Sequence, residues 1–249
     1  MTDIKFSIIT ICRNAENEIQ RTVESVLSQS YDNIEYLVMD GDSSDATCEI
    51  VKKFSDRIAF FVSEKDTGIF NAMNKGLCLA SGDIILFINA GDILFNADVI
   101  NHAQLVINSK SLKDIDVFHG KSLMYYEDSG DGYLWSSGPL NRFKAFRGSI
   151  PHPSTFYSKR AFEKNGLFDE TYRIAGDYEW VVRGITKNHL KFKYMDMITA
   201  VFYQGGISNH PEHNMLNKRE LQKLIADHFS FSTRIGFSIL NRFRKILGL

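Results

Sequence analysis

Three aspartates stand where apolar runs give way to turns. Asp40 closes IEYLVMD (34 to 40), Asp66 follows IAFFVSE (58 to 64), and Asp92 ends the segment DIILFINAGD. Carboxylates gathered on one edge of a sheet repel one another. The arrangement is tolerable where they hydrogen-bond the donors of a sugar or a base, or coordinate a hard cation. Each also has a plain reading. Asp40 is spaced for an Asx turn capping a helix that starts near Ser43, Asp92 for a cap on the segment after it, and Asp177, in GDYEW, for a helix N-cap. His152 in PHPST, and His210 and His213 in YQGGISNHPEHN, are further candidate ligands or simply satisfied or solvated histidines.

The elements that must position these groups alternate over the first hundred residues. Strands are expected at 5 to 12, 34 to 40, 58 to 64 and 83 to 89. Helices are expected at 15 to 29, where Ile19, Val23, Val26 and Leu27 recur at helical spacing, and at 43 to 54 and 70 to 80. The run Ile84 to Ile88 is the continuous apolar stretch of a strand covered on both faces. Alternation of this kind predicts parallel strands joined by crossover helices, with ligands at the carboxyl ends of the strands. After residue 110 the pattern is looser. DVFHGKSLMYYED and DGYLWSSG form an expected strand pair around a turn-rich link, and helices are expected at SKRAFEKNG and GDYEWVVRGITKN. A loop is expected over 203 to 214, and one or two helices after it.

Bulk numbers exclude several classes. Lys plus Arg is 29 against 30 Asp plus Glu, which lacks the basic excess that nucleic-acid tracking requires. Cys12, Cys48 and Cys78 match no metal spacing and are expected as reduced, buried thiols. The N-terminus carries no signal-peptide pattern and no apolar run approaches the ~20 residues needed to span a bilayer, so a cytoplasmic location is expected. The turn after the first strand is CRNAEN, not GxGxxG, and no Walker-type loop is present. A nicotinamide enzyme or a P-loop NTPase would therefore lack its phosphate cradle.

The pieces SIITICRN, SVLSQSY, YLVMDGDSSDAT, DTGIFNAMNKG, ASGDIILFINAGD and FDETYRIAGDYEW, in that order, resemble glycosyltransferase family two over roughly residues 4 to 208. The resemblance implies an inverting, nucleotide-sugar-dependent enzyme with a GT-A fold: a Rossmann-like, mostly parallel sheet flanked by helices, a less regular acceptor-side half and a C-terminal helical tail. It places Asp40 beside the nucleobase, with Gly41, Ser43 and Asp45 shaping the turn. Asp66, Gly68, Asn74, Lys75 and Gly76 would lie along the nucleotide, Lys75 being equally an ordinary solvated helix lysine. FINAGD falls on the family's DxD region but departs from it, with Asn89 and Gly91 in acidic positions. Asp92 is left to hold Mn²⁺ or Mg²⁺ against the diphosphate. Cys12 and Arg13 replace Thr and Tyr near the base; Arg13 either stacks on the base as a ring would or points to solvent. Asp177 matches the general base and Gly176 replaces the usual Glu before it. His152, Glu179 and Trp180 fall near the acceptor or the donor sugar, Trp180 being as readily a core residue. His210 or His213 would complete the metal shell if that loop closes.

The reading is thus a hexosyl- or N-acetylhexosaminyltransferase, UDP-sugar dependent, acting on a cell-surface glycan or lipid-linked saccharide. Its expected division is a 1–214 domain (a 1–100 nucleotide-sugar half and a 101–214 acceptor half) and a 215–249 helical extension. The rivals are a catalytically inactive sugar-nucleotide-binding partner, which the altered DxD favours, and a sugar-phosphate nucleotidyltransferase, which CRNAEN disfavours. In residues 229 to 249, Ile235, Ile239, Phe243, Ile246 and Leu247 make an apolar stripe, and Arg234, Arg242, Arg244 and Lys245 are the only charges. Such a helix either lies on the inner face of the cell membrane or packs on the domain or a second subunit.

Overall fold

Side chains of alternating residues along the first strands are divided between two cores, one on each face of a single sheet. In the computed structural model, which describes residues 3–109, 114–126, 129–203 and 214–246, β1 (Phe6–Cys12), β2 (Ile34–Asp40), β3 (Phe60–Ser63) and β4 (Ile84–Phe87) run parallel in the order β3-β2-β1-β4. Phe6, Ile8, Tyr36, Val38, Ile84 and Leu86 face one core with α1 (Ile19–Leu27) and α4 (Val99–Asn108). Ile9, Ile11, Leu37, Met39, Ile85 and Phe87 face the other, with α3 (Ile69–Leu79) and α7 (Gly176–Thr186). This is the period-two consequence of a sheet covered on both sides. At Gly76 an added Cβ would stand 2.8 Å from Ile9 Cγ2, so α3 lies unusually close to β1 and Gly76 serves packing.

Helices expected at 15 to 29 and 43 to 54 begin later than the apolar pattern suggests. The backbone N–H of Ala15 donates to Thr47 Oγ1 (2.7 Å) and that of Glu16 to Asp45 (3.1 Å). Ser43 and Ser44 are tied to Asp40 and Asn14. These contacts lock two turns together, and the second helix, α2, starts only at Thr47 (Thr47–Lys52), whose N–H Asp45 accepts.

Beyond β4 the sheet becomes mixed. β8 (Thr155–Ser158) pairs antiparallel with β4, and β6 (Val117–Tyr125) antiparallel with β8. β9 (Phe192–Tyr203) runs parallel to β6, and β5 (Ile93–Leu94) is antiparallel to β9. β7 (Gly132–Trp135) pairs with β6 across the turn-rich link, as its pattern predicts. The remaining helices are α5 (Arg142–Arg147), α6 (Lys159–Asn165), α8 (Asn214–His228) and α9 (Phe231–Ile246), with a 3-10 turn at His152–Ser154. The cysteines are free, but only Cys12 is buried. Cys48 is intermediate and Cys78 lies exposed on α3, which corrects the expectation of three buried thiols.

α8 is built into the body. Leu224 is fully buried, and the buried Glu220 carboxylate accepts the backbone N–H groups of Arg173 (2.7 Å), Ile174 (3.0 Å) and Ala175 (2.8 Å). Those groups precede the first turn of α7, where no side chain of that helix caps them. Glu220→Ala strips one acceptor from several partly enclosed donors and is expected to lower stability by roughly 2–4 kcal/mol, read as a fall in the urea midpoint.

Candidate active site

The strand order 3-2-1-4 reverses between β1 and β4, and in open α/β sheets the crevice at such a reversal receives the ligand. The turns after β1, β2, β3 and β4 supply its wall. Gly41 N–H donates to Cys12 O (2.9 Å), and Asn14 N–H to Ser43 Oγ (2.7 Å). Asn14 and Asp42 both take positive φ there, 49° and 62°.

Asp40 is buried and largely occupied. It accepts from Ser43 N–H (3.0 Å), Ser63 Oγ (2.7 Å) and Cys48 Sγ (3.2 Å), and also from the Ser43 hydroxyl, with Cys12 Sγ at 3.7 Å. Burial opposes its ionisation, but the Ser43, Ser63 and Cys48 donors outweigh it and hold the carboxyl below its ordinary range. Asp66 is different. Its Oδ1 accepts Gly68 N–H (2.9 Å), and its Oδ2 lies so near Gly41 that a Cβ there would come within 2.3 Å, with Arg13 Cδ at 3.3 Å. Arg13, Gly41 and Asp66 therefore share one patch of the crevice.

Other candidates are engaged by neighbouring residues. Asn74 donates to Phe168 O (3.0 Å) and Glu170 (2.8 Å) and accepts Phe168 N–H (3.0 Å), clamping α3 to that segment. Lys75 reaches Lys65 O and pairs with Glu64 (2.7 Å). Trp180 is wholly enclosed, its indole N–H on Gly166 O (2.8 Å), in a ring cluster with Tyr157, Phe162 and Phe168. Glu179 turns to Arg183 (3.0 Å) and His228 (3.0 Å), lining a cavity of about 560 Å³ with Asp169, Tyr172 and Asp227.

Asp177 stands in the first turn of α7, where Ala175 is the N-cap, so the cap reading of Asp177 does not apply. Its side chain is 26% exposed, and one oxygen lies 3.9 Å from His152 Nδ1. Desolvation raises the Asp177 pKa above the ordinary range against the pull of His152 and the Tyr178 N–H bond. Burial lowers the His152 pKa, opposed by Asp177. His152 stacks on Phe87 of β4 (5.5 Å, 23°), and Gly176 presses on Phe70 in the first turn of α3. Arg173 comes against Gly68, where a Cβ would meet its Nη1 at 2.6 Å. The starts of α3 and α7 and the end of β4 are thus drawn together. Arg173 and Glu220 carried no signal in the sequence that would have marked them.

The turn after β4 holds Asn89, Gly91 and Asp92. Gly91 takes φ +100° with open space where a Cβ would project, a conformation side chains rarely adopt. Among the described residues no three His, Cys, Asp or Glu side chains form a ready cation site. Asp92 is nevertheless buried, and desolvation lifts its pKa to about 8 against the pull of Arg21. Asn89 Oδ1 is buried without a hydrogen-bond partner among the described residues. A desolvated carboxylate and an orphaned oxygen on one turn fit a hard cation, which takes oxygen donors and accepts few protein ligands. His210 and His213 lie outside the described residues.

This architecture has close counterparts. The chain aligns with the S. aureus TarS 1-349 structure in complex with UDP-GlcNAc at a TM-score of 0.72 and 20% identity, over 97% of this chain and 73% of that one. It aligns with a mannosyltransferase from Pyrobaculum calidifontis in complex with GDP-Man and Mn²⁺ at 0.62 and 15%, over 88% and 61%. The fold is therefore that of GT-A-like glycosyltransferases, a mixed α/β sheet flanked by helices. Residues 7–108 match the family model for Glycosyl transferase family 2. An uncharacterized glycosyltransferase of Mycobacterium tuberculosis is 32% identical over 178 residues, 71% of this chain and 67% of that protein. A PGL/p-HBAD biosynthesis glycosyltransferase of Mycobacterium bovis is 27% identical over 240 residues, 94% and 88%. The chain belongs to glycosyltransferase family 2, and it is a transferase enzyme.

Proposed function

We propose that the protein transfers a hexosyl or N-acetylhexosaminyl group from a UDP-sugar to a hydroxyl of a glycan or lipid-linked saccharide, with inversion at the anomeric carbon. The observation that carries this reading is Asp177: a half-buried carboxylate of raised pKa, beside His152 and Phe87, next to the crevice that the strand ends enclose. The base of the nucleotide sits against Arg13, Gly41 and Asp66. Asp40 fixes the turn that carries them and adds contact to the base as its hydroxyl donors reorient. The acceptor hydroxyl is held at Asp177, whose carboxylate takes its proton as the oxygen attacks the anomeric carbon and the nucleoside diphosphate departs. Asp92 and Asn89 would hold Mn²⁺ or Mg²⁺, whose chemistry there is to neutralise charge on the leaving diphosphate. Among the described residues no helix is long and apolar enough to cross a bilayer.

Calorimetry with UDP, with and without Mn²⁺, followed by a hydrolysis screen of nucleotide sugars, tests the reading. Absence of nucleoside diphosphate binding under both conditions would remove it. Gly41→Ala puts a methyl group into Asp66 and Arg13 and is expected to weaken UDP binding on the order of tenfold, or ~1.4 kcal/mol. The same titration reads it.

A further inference from the structure

The last described helix packs the wrong side inward for a helix that serves only the core. Phe237 meets Phe143 and Phe146 of α5 at 5.3 Å each and Phe229 at 6.2 Å, and Thr233 and Arg234 beside it are half-buried. Those positions form one face of α9. At 3.6 residues per turn the opposite face carries Phe231, Ile235 and Ile239, which are 70%, 44% and 52% exposed. The apolar stripe therefore points away from the body, while the helix itself is fastened to it.

Charge distinguishes what covers that stripe. α5, against which α9 is docked, reads RFKAFR: Arg142 and Arg147 are exposed, and no acidic residue lies in the helix. Arg242 is exposed on α9, which also has no acidic residue. α9 thus exposes Phe231, Ile235 and Ile239 beside Arg242, α5 exposes Arg142 and Arg147, and neither helix carries an acidic residue. A second copy of this chain would bring the same cations face to face, so self-association is opposed by like charge. An anionic lipid surface satisfies both the stripe and the charge.

We propose that α5 and α9 together form a membrane-docking face for anionic lipid. Tyr178, next to Asp177 on α7, donates its hydroxyl to Ala145 O of α5, so this face adjoins the helix that carries the proposed base. The docking face stands independently of the donor and base assignments. It places the acceptor side of the crevice near the bilayer, where a lipid-linked acceptor would be presented.

The test is co-sedimentation of the full chain with phosphatidylcholine vesicles, with and without phosphatidylglycerol. The protein is expected on the anionic vesicles alone and to be released by salt. Arg142→Glu with Arg147→Glu should lower the partition coefficient at least fivefold for each residue. Ile235→Gln with Ile239→Gln should lower it comparably, with melting temperature and nucleotide-sugar hydrolysis in solution unchanged in both variants. Equal binding to both vesicle types, or wild-type binding by the α5 variant, overturns the proposal. So does a dimer in sedimentation velocity that the isoleucine variant dissolves, which would assign the stripe to a second copy. A lower melting temperature in the isoleucine variant overturns it too, because the stripe would then be packed on the body.

Discussion

Asp177→Asn is expected to leave UDP affinity near normal and to reduce turnover by ~10²-fold or more, the scale for losing a general base. The substitution keeps size and can still accept the Tyr178 N–H that Asp177 now accepts at 2.8 Å. The N–H groups ahead of α7 are held by Glu220, so the helix start does not depend on residue 177. What disappears is basicity. Because desolvation raises the Asp177 pKa, the carboxyl takes up its proton at a pH above that of an ordinary aspartate. A base works only when ionised, so wild-type turnover should fall as pH drops through that raised value, and this acid limb should vanish in the variant. Steady-state rates across pH, beside UDP titrations of both proteins, make the comparison. Full turnover in the variant would leave Asp177 as a helix residue without a catalytic part.

The half of the molecule that the sequence made legible is the half whose contacts are local in pattern. β1 to β4 could be read because each is an apolar run bounded by turn residues, and the two-sided core demands such runs. β8 and β9 were not expected. β8 is four residues long, too short for periodicity to declare itself, and β9 carries Lys193 and Asp196 along a strand whose pairing with β6 is broken by register shifts. What holds β9 in place is pairing with β6 and β5, which no local signal encodes.

The site divides in the same way. Asp40, Asp66 and Asp92 were visible because strand ends are visible. That Asp40 is occupied by Ser43, Ser63 and Cys48 while Asp66 lies against Gly41 and Arg13 depends on how three separate turns meet. Asn74, in a motif read as lying along the nucleotide, spends its amide on residues 168 and 170. The pairing of His152 with Asp177 joins a 3-10 turn to a helix start through a stack on Phe87, and spacing alone could not propose it.

Asp92→Asn is expected to abolish the stabilisation that Mn²⁺ with UDP confers and to cut metal-dependent turnover by ~10³-fold, several kcal/mol being the scale of Lewis-acid assistance to a leaving group. The turn itself should survive, because its supports are backbone groups: Thr22 Oγ1 donates to Asp92 O (2.8 Å) and accepts Gly91 N–H (3.1 Å). The carboxyl contributes differently. With its folded pKa raised by burial to about 8, the neutral form is favoured in the folded protein. That contribution is fully present below the unfolded value near 4 and is lost as pH rises through about 8. Without metal, the wild-type protein should therefore lose stability across this window, and the asparagine variant, which has no proton to lose there, should not. At pH 8 the variant should melt at or above the wild type when metal is withheld, and below it when Mn²⁺ and UDP are added. Thermal melts under the four combinations of protein and metal read the crossing directly. If the variant keeps both its Mn²⁺ response and its turnover, Asp92 is a buried turn residue and the cation is held elsewhere.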